Sequence, residues 1–109
     1  MSADEHSPTE LAGELLRLTR EMVEAARERD WVSVASRETE RRRVSGRLFA
    51  EPVPHAQRAA VAEAIQRVLA YDPELHRLST AARETMASDV QDVRGNRRAV
   101  RAYHRYSAD

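Results

Sequence analysis

Arg41-Arg42-Arg43 is the chain's one basic triplet, and three adjacent guanidinium groups are what a phosphate backbone recruits. Its surroundings argue against that chemistry. Glu38 and Glu40 lie within one helical turn of it, and the 18 basic residues are balanced by 18 acids over 109 residues. A neutral chain carries no broad field for gripping nucleic acid, so pairing within the helix is the expected role. Helical di-metal sites use Glu-x-x-His pairs, but Ala3, Pro52, Pro73 and Arg101 stand three residues before the four histidines. Cysteine is absent, which removes thiolate ligands, thiol nucleophiles and disulfides together. Gly13, Gly46 and Gly95 are too far apart for a phosphate-cradling loop. Asp72 and His76 share a helix face and read as a surface hydrogen bond. No catalytic group, metal or cofactor is expected, and the chain is read as a non-enzyme.

The aromatics are the other candidates. Trp31, the only tryptophan, lies between two runs of acid and arginine and is read as structural. A single large ring at a helix start usually contributes core burial, here closing a turn toward Leu15 or Met22. Tyr71, Tyr103 and Tyr106 carry polar tips near helix or chain ends, where an interface could use them.

Helices must position all of these. Alanine, glutamate, arginine and leucine dominate, and each is a strong helix former. Of the 41% apolar residues many are alanine, so the core should be thin and closely packed. Ser7-Pro8-Thr9-Glu10 has a capping serine, a proline in the first turn and a glutamate three residues after the cap. Leu11, Leu15, Leu18, Met22 and Ala25 then form one stripe, widened by Leu16 and Val23. Asp30 caps a second helix whose stripe runs Trp31, Val34, Ala35, Glu38, Arg42, Ser45, Leu48 and Phe49, polar in the middle. Pro52 and Pro54 make the one clear linker. Beyond it, apolar residues hold a sevenfold register on both sides of Asp72-Pro73, which predicts one long helix kinked, and not broken, by Pro73. Gly95 reads as its C-terminal stop, with a short last helix after it.

The expected fold is all-α, a small antiparallel bundle of three main helices plus a short C-terminal helix, forming a single domain over residues 1–109. Helices are placed at 8–29, 31–50, 55–94 and 96–106, after a disordered 1–7. The start MSADEHSPTE has no apolar signal core, and no apolar run spans a bilayer, so a cytoplasmic protein without membrane contact is expected.

The segment LLRLTREMVEAARERDWVSVASRETERRR resembles the first helical hairpin of the FliT family of flagellar export chaperones. Its matching features are Ala25-Ala26, the Asp30-Trp31 turn, and Glu38 with Arg41 or Arg42. VLAYDPELHRLSTAARETMASDVQDVRG followed by RRAVRAYHR is similar to the family's long third helix and last helix, through Asp72, Arg83, Gly95, Ala102 and Tyr103. The resemblance implies binding of the C-terminal segment of the filament-cap protein FliD and delivery to the export ATPase complex. For some members it implies restraint of the transcription activator FlhDC, and it allows the last helix to mask the client groove.

A client helix needs an apolar groove. Val68, Leu69, Leu75 and Leu78, flanking Asp72, are the expected lining, with Val100 and Tyr103 on the covering helix and Trp31, Glu38 and Arg42 as structural residues. A homodimer is compatible with so small a core. The alternative reading is a general helical adaptor or regulator docking protein or DNA through Arg41–Arg43.

Overall fold

The computed structural model describes residues 6–107, and for residues 96, 99, 100 and 102–107 the backbone alone. The chain divides into two units, Met1–Leu78 and Ser79–Asp109. The described residues form three α-helices, α1 (Pro8–Arg27), α2 (Trp31–Leu48) and α3 (Arg58–Ser107), with a 3-10 turn at His55–Gln57 leading into α3. No strand occurs among them, and none of the helices is long and apolar enough to cross a membrane. The fold is the small all-α bundle that the periodicity predicts.

Both helix starts behave as their sequences require. Ser7 Oγ accepts from the Glu10 amide at 3.2 Å, with Pro8 in the first turn where its missing N–H costs nothing. Asp30 caps α2, accepting from the Ser33 amide at 3.1 Å and the Ser33 hydroxyl at 2.6 Å. Between them, the end of α1 closes on itself. The Arg29 amide donates to the Ala26 carbonyl at 3.1 Å and the Asp30 amide to the Ala25 carbonyl at 2.8 Å. That pattern is a Schellman close, and it puts Arg29 at φ 61°, a left-handed conformation usually given to glycine.

In the first unit, α1 is buried along two adjacent stripes. Leu11, Leu15, Leu18 and Met22 form one, and Ala12, Leu16, Thr19, Val23 and Ala26 the other. The core joins Leu11, Ala12, Leu15 and Leu18 to Val44 and Leu48 of α2 and Val61 of α3. Val53, Ala64, Ile65 and Val68 pack against it half-buried. Ala12, almost without exposure, lets backbones approach closely, as an alanine-rich composition allows. Among the described residues Thr19 is the one fully buried polar residue, and its hydroxyl donates to the Leu15 carbonyl at 2.7 Å. No solvent is needed to satisfy it.

α3 continues through Asp72-Pro73, as the register predicts. Proline supplies no N–H to the Leu69 carbonyl, so the helix crosses that position one ladder bond short. The stop expected at Gly95 does not form. Residues 94–97 are helical, no glycine has positive φ, and 96–106 is not a separate helix. Glycine ends a helix by turning left-handed, and where the chain stays right-handed it only weakens the interior. The lid expected as an independent helix after Gly95 falls with that stop. Ser7 is the cap of α1, as its motif predicts, so the disordered start placed at 1–7 does not include it.

Two reciprocal substitutions follow. Arg29→Gly removes left-handed strain and should stabilise by up to about 1 kcal/mol. Gly95→Ala should also stabilise, by about 0.5–1 kcal/mol, since nothing lies within 4 Å of the added carbon. Amide exchange across 79–107 reads the second change. A glycine acting as a left-handed stop would instead make Gly95→Ala destabilising.

Candidate functional site

One groove of about 540 Å³ lies in the first unit, where all three helices meet. Leu15 of α1 forms part of its floor. The α2 wall is Glu38, Arg41, Arg42, Ser45, Gly46 and Phe49, and the α3 wall is Ile65, Val68 and Asp72. Each wall repeats at three- and four-residue steps, so each is a single helical stripe. The α3 wall is mainly apolar and the α2 wall is charged for most of its length, ending in the exposed ring of Phe49. A second hollow, about 510 Å³, is lined by His6, Pro8, Leu11, Arg47 and the proline linker, and only α1 and α2 among the helices contribute to it.

This geometry accounts for the polar middle of α2. The residues it buries are Val44 and Leu48. Glu38, Arg42, Ser45 and Phe49, read from sequence as a core stripe, form the groove wall instead. Val44 was the missed core position. Its signal was its i,i+4 relation to Leu48, obscured by the three arginines before it.

Charge is organised inside α2. Arg41 and Arg42 both bond Glu38, at 2.7 and 3.2 Å, and Arg43 lies 3.6 Å from Glu40. The whole triplet is therefore engaged by acids of its own helix. Glu38 orients both guanidinium groups along the groove rim, which removes much of the attraction a phosphate would feel.

Three contacts outside the groove lining tie the helices together. Arg37 reaches Glu21 at 2.8 Å, tying α2 to α1. The Thr9 amide and hydroxyl both donate to Gln57 Oε1, at 3.1 and 3.0 Å, tying the start of α3 to the start of α1. At the far end of α1, Arg27 clasps Glu74 through two parallel bonds, 2.7 and 2.9 Å. Glu74 lies two residues past the groove's Asp72, so this fork fixes α3 where its wall ends.

The other expected site residues divide. Val68 lines the groove. Leu69, 58% exposed, does not, and Leu75 and Leu78 are half-buried outside its lining. The side chains of Val100 and Tyr103 lie outside the described residues. Trp31 opens α2 half-buried. No group of three or more potential metal ligands occurs among the described residues. Leu15, Ser45, Gly46, Phe49, Ile65 and Asp72 line the groove although sequence reasoning did not assign them to a site.

A charged wall facing an apolar wall, with core beneath, defines a small helical protein built around an inter-helix groove. The model of the flagellar protein FliT family matches residues 9–105, and the chain belongs to that family. It is thus of the flagellar export chaperone class. No curated protein and no solved structure matches it.

Acid tests the clasp. The Arg27 guanidinium holds the Glu74 carboxyl below its usual range, and bonds from Ser33 do the same for Asp30. A carboxyl depressed in the fold contributes stability above its unfolded value near ~4, and that contribution is lost as pH falls through the lower folded value. The melting-temperature gap between the parent and Glu74→Gln should therefore be widest near neutrality and close in acid. A gap independent of pH would mean the fork contributes nothing.

Proposed function

We propose that the groove between α1, α2 and α3 receives an amphipathic helix from the C-terminal segment of a FliD-like filament-cap protein, for delivery to the flagellar type III export apparatus. The observation that carries this reading is the pairing of an apolar α3 wall with a charged α2 wall. An amphipathic helix laid between them buries its apolar face on Ile65, Val68 and Leu15, while its flank meets Glu38, Arg41 and Arg42. Membership of a flagellar protein family supports a flagellar client. The reading places the chain in the cytoplasm, with the export ATPase complex as the next partner. FlhDC, implied for some relatives, would be a further partner.

Phe49 is the most direct probe. It is 60% exposed, so Phe49→Ala removes little core, yet it takes away the largest apolar group lining the groove. Calorimetry against the cap-protein C-terminal segment should show about tenfold or greater weakening, as for an aromatic anchor, with an unchanged melt. Val68→Asp should weaken binding further. Leu69→Ala should leave affinity unchanged, because Leu69 does not line the groove. In this reading Trp31 is structural, so Trp31→Ala lowers the melting temperature without changing the affinity of the folded fraction. If Phe49→Ala and Val68→Asp bind like the parent, the groove is not the client site.

A further inference from the structure

Asp72 lines the groove from the otherwise apolar α3 wall, about one turn beyond Val68. Of the charged groups in the lining, Glu38, Arg41 and Arg42 are bonded to one another. Asp72 is exposed and has no hydrogen bond or ion pair among the described residues. Its helix neighbours at three and four residues are Val68, Leu69, Leu75 and His76, none a lysine or arginine. Elsewhere in the first unit Glu14, Glu21, Glu63 and Glu74 each meet an arginine. The walls also differ in sign. Arg41 and Arg42 share the single carboxylate of Glu38, which leaves the α2 wall net positive, while Asp72 makes the α3 wall negative. Contacts between the helices fix where each charge lies along the groove. Thr9–Gln57 and Arg27–Glu74 run α3 parallel to α1, and the short turn at 28–30 returns α2 against both. Asp72 therefore lies at the end of the groove near that turn, and Phe49 at the other, about four helical turns away.

We infer that Asp72 determines which client helix the groove accepts and in which direction it lies. The client carries a lysine or arginine on its α3 flank, one turn beyond the apolar residues that cover Ile65 and Val68. This rests on the groove being the client site. An apolar helix seated on Ile65 and Val68 displaces water from the neighbouring carboxylate. A charge that loses water without gaining a partner opposes binding, and a cation on the incoming helix removes that penalty. Glu38 makes no such demand, because two guanidinium groups already hold it. The surplus positive charge of the α2 wall favours an acid on the client's other flank. A helix with base on one flank and acid on the other fits these walls in one direction only. Turned end for end, it withdraws the cation from Asp72 and presents its acid to the α3 wall. Apolar contact supplies the affinity, and Asp72 the selection.

Calorimetry of the full chain against the cap-protein C-terminal segment tests this, using the parent segment and variants with each lysine or arginine changed singly to glutamate. Asp72→Asn should weaken binding by about threefold and flatten its dependence on salt, and Asp72→Arg should weaken it by about tenfold. Both should melt like the parent, since Asp72 has no partner in the fold to lose. One segment variant should bind the parent chain poorly yet bind Asp72→Arg more tightly than the parent segment does, because exchanging both signs restores the pair. Phe49→Ala keeps the two readings apart. If it weakens binding while both Asp72 variants bind like the parent, the groove is the client site and the inference about Asp72 is overturned. If Phe49→Ala and the Asp72 variants all bind like the parent, the client site itself is lost and the inference with it. Weakening by Asp72→Arg that no segment variant restores also overturns it, since no client cation then meets the carboxylate.

Discussion

A helix that is apolar along two adjacent stripes cannot satisfy both with one neighbour, and α1 is such a helix. Leu11, Leu15, Leu18 and Met22 demand one cover, and Leu16, Thr19 and Val23 beside them demand more. Burying a leucine in this core is worth about 1.5–3 kcal/mol, whereas each exposed ion pair contributes roughly 0–1 kcal/mol. The double stripe therefore sets where α2 and the start of α3 lie, and the salt bridges trim the spacing. Both α2 and the start of α3 share a core with α1. The space they leave is the groove, with Leu15 reaching its floor.

Much of this was legible in the sequence because it is local. Caps at Ser7 and Asp30, the stripe of α1 and the register carried across Pro73 all depend on residues within a few positions of one another. The two misreadings have a shared cause. Gly95 has the composition of a helix stop, but glycine permits a left-handed turn without demanding one, and here the helix runs on. Arg29 shows the converse, taking the left-handed position that composition would deny it. Periodicity of α2 was likewise ambiguous, because a stripe facing a groove repeats at the same steps as a stripe facing the core. Only the position of α1 tells that Val44 and Leu48 are inside while Glu38, Arg42 and Phe49 form a wall.

The candidate site was legible only in part for the same reason. Val68, Glu38 and Arg42 could be singled out by their own stripes, but their meeting across two helices could not. Leu69 and Leu75 flank Asp72 in sequence and were taken for lining on that ground. On a helix, neighbours in sequence point about a hundred degrees apart, so the true companions of Val68 are Ile65 and Asp72. The basic triplet illustrates how local charge resolves function. Glu38 and Glu40 engage all three arginines, turning a nucleic-acid signature into the rim of a protein groove.

The central claim is that the space between α2 and α3, created by the double stripe of α1, is where a client helix binds. Methyl and aromatic resonances of the full chain, followed during titration with the cap-protein C-terminal segment, test it most directly. Shifts should concentrate on Ile65, Val68, Leu15 and Phe49, with Leu69, Met86, Val90 and Val93 unmoved. Shifts confined to Met86, Val90 and Val93, with the groove residues silent, would contradict it.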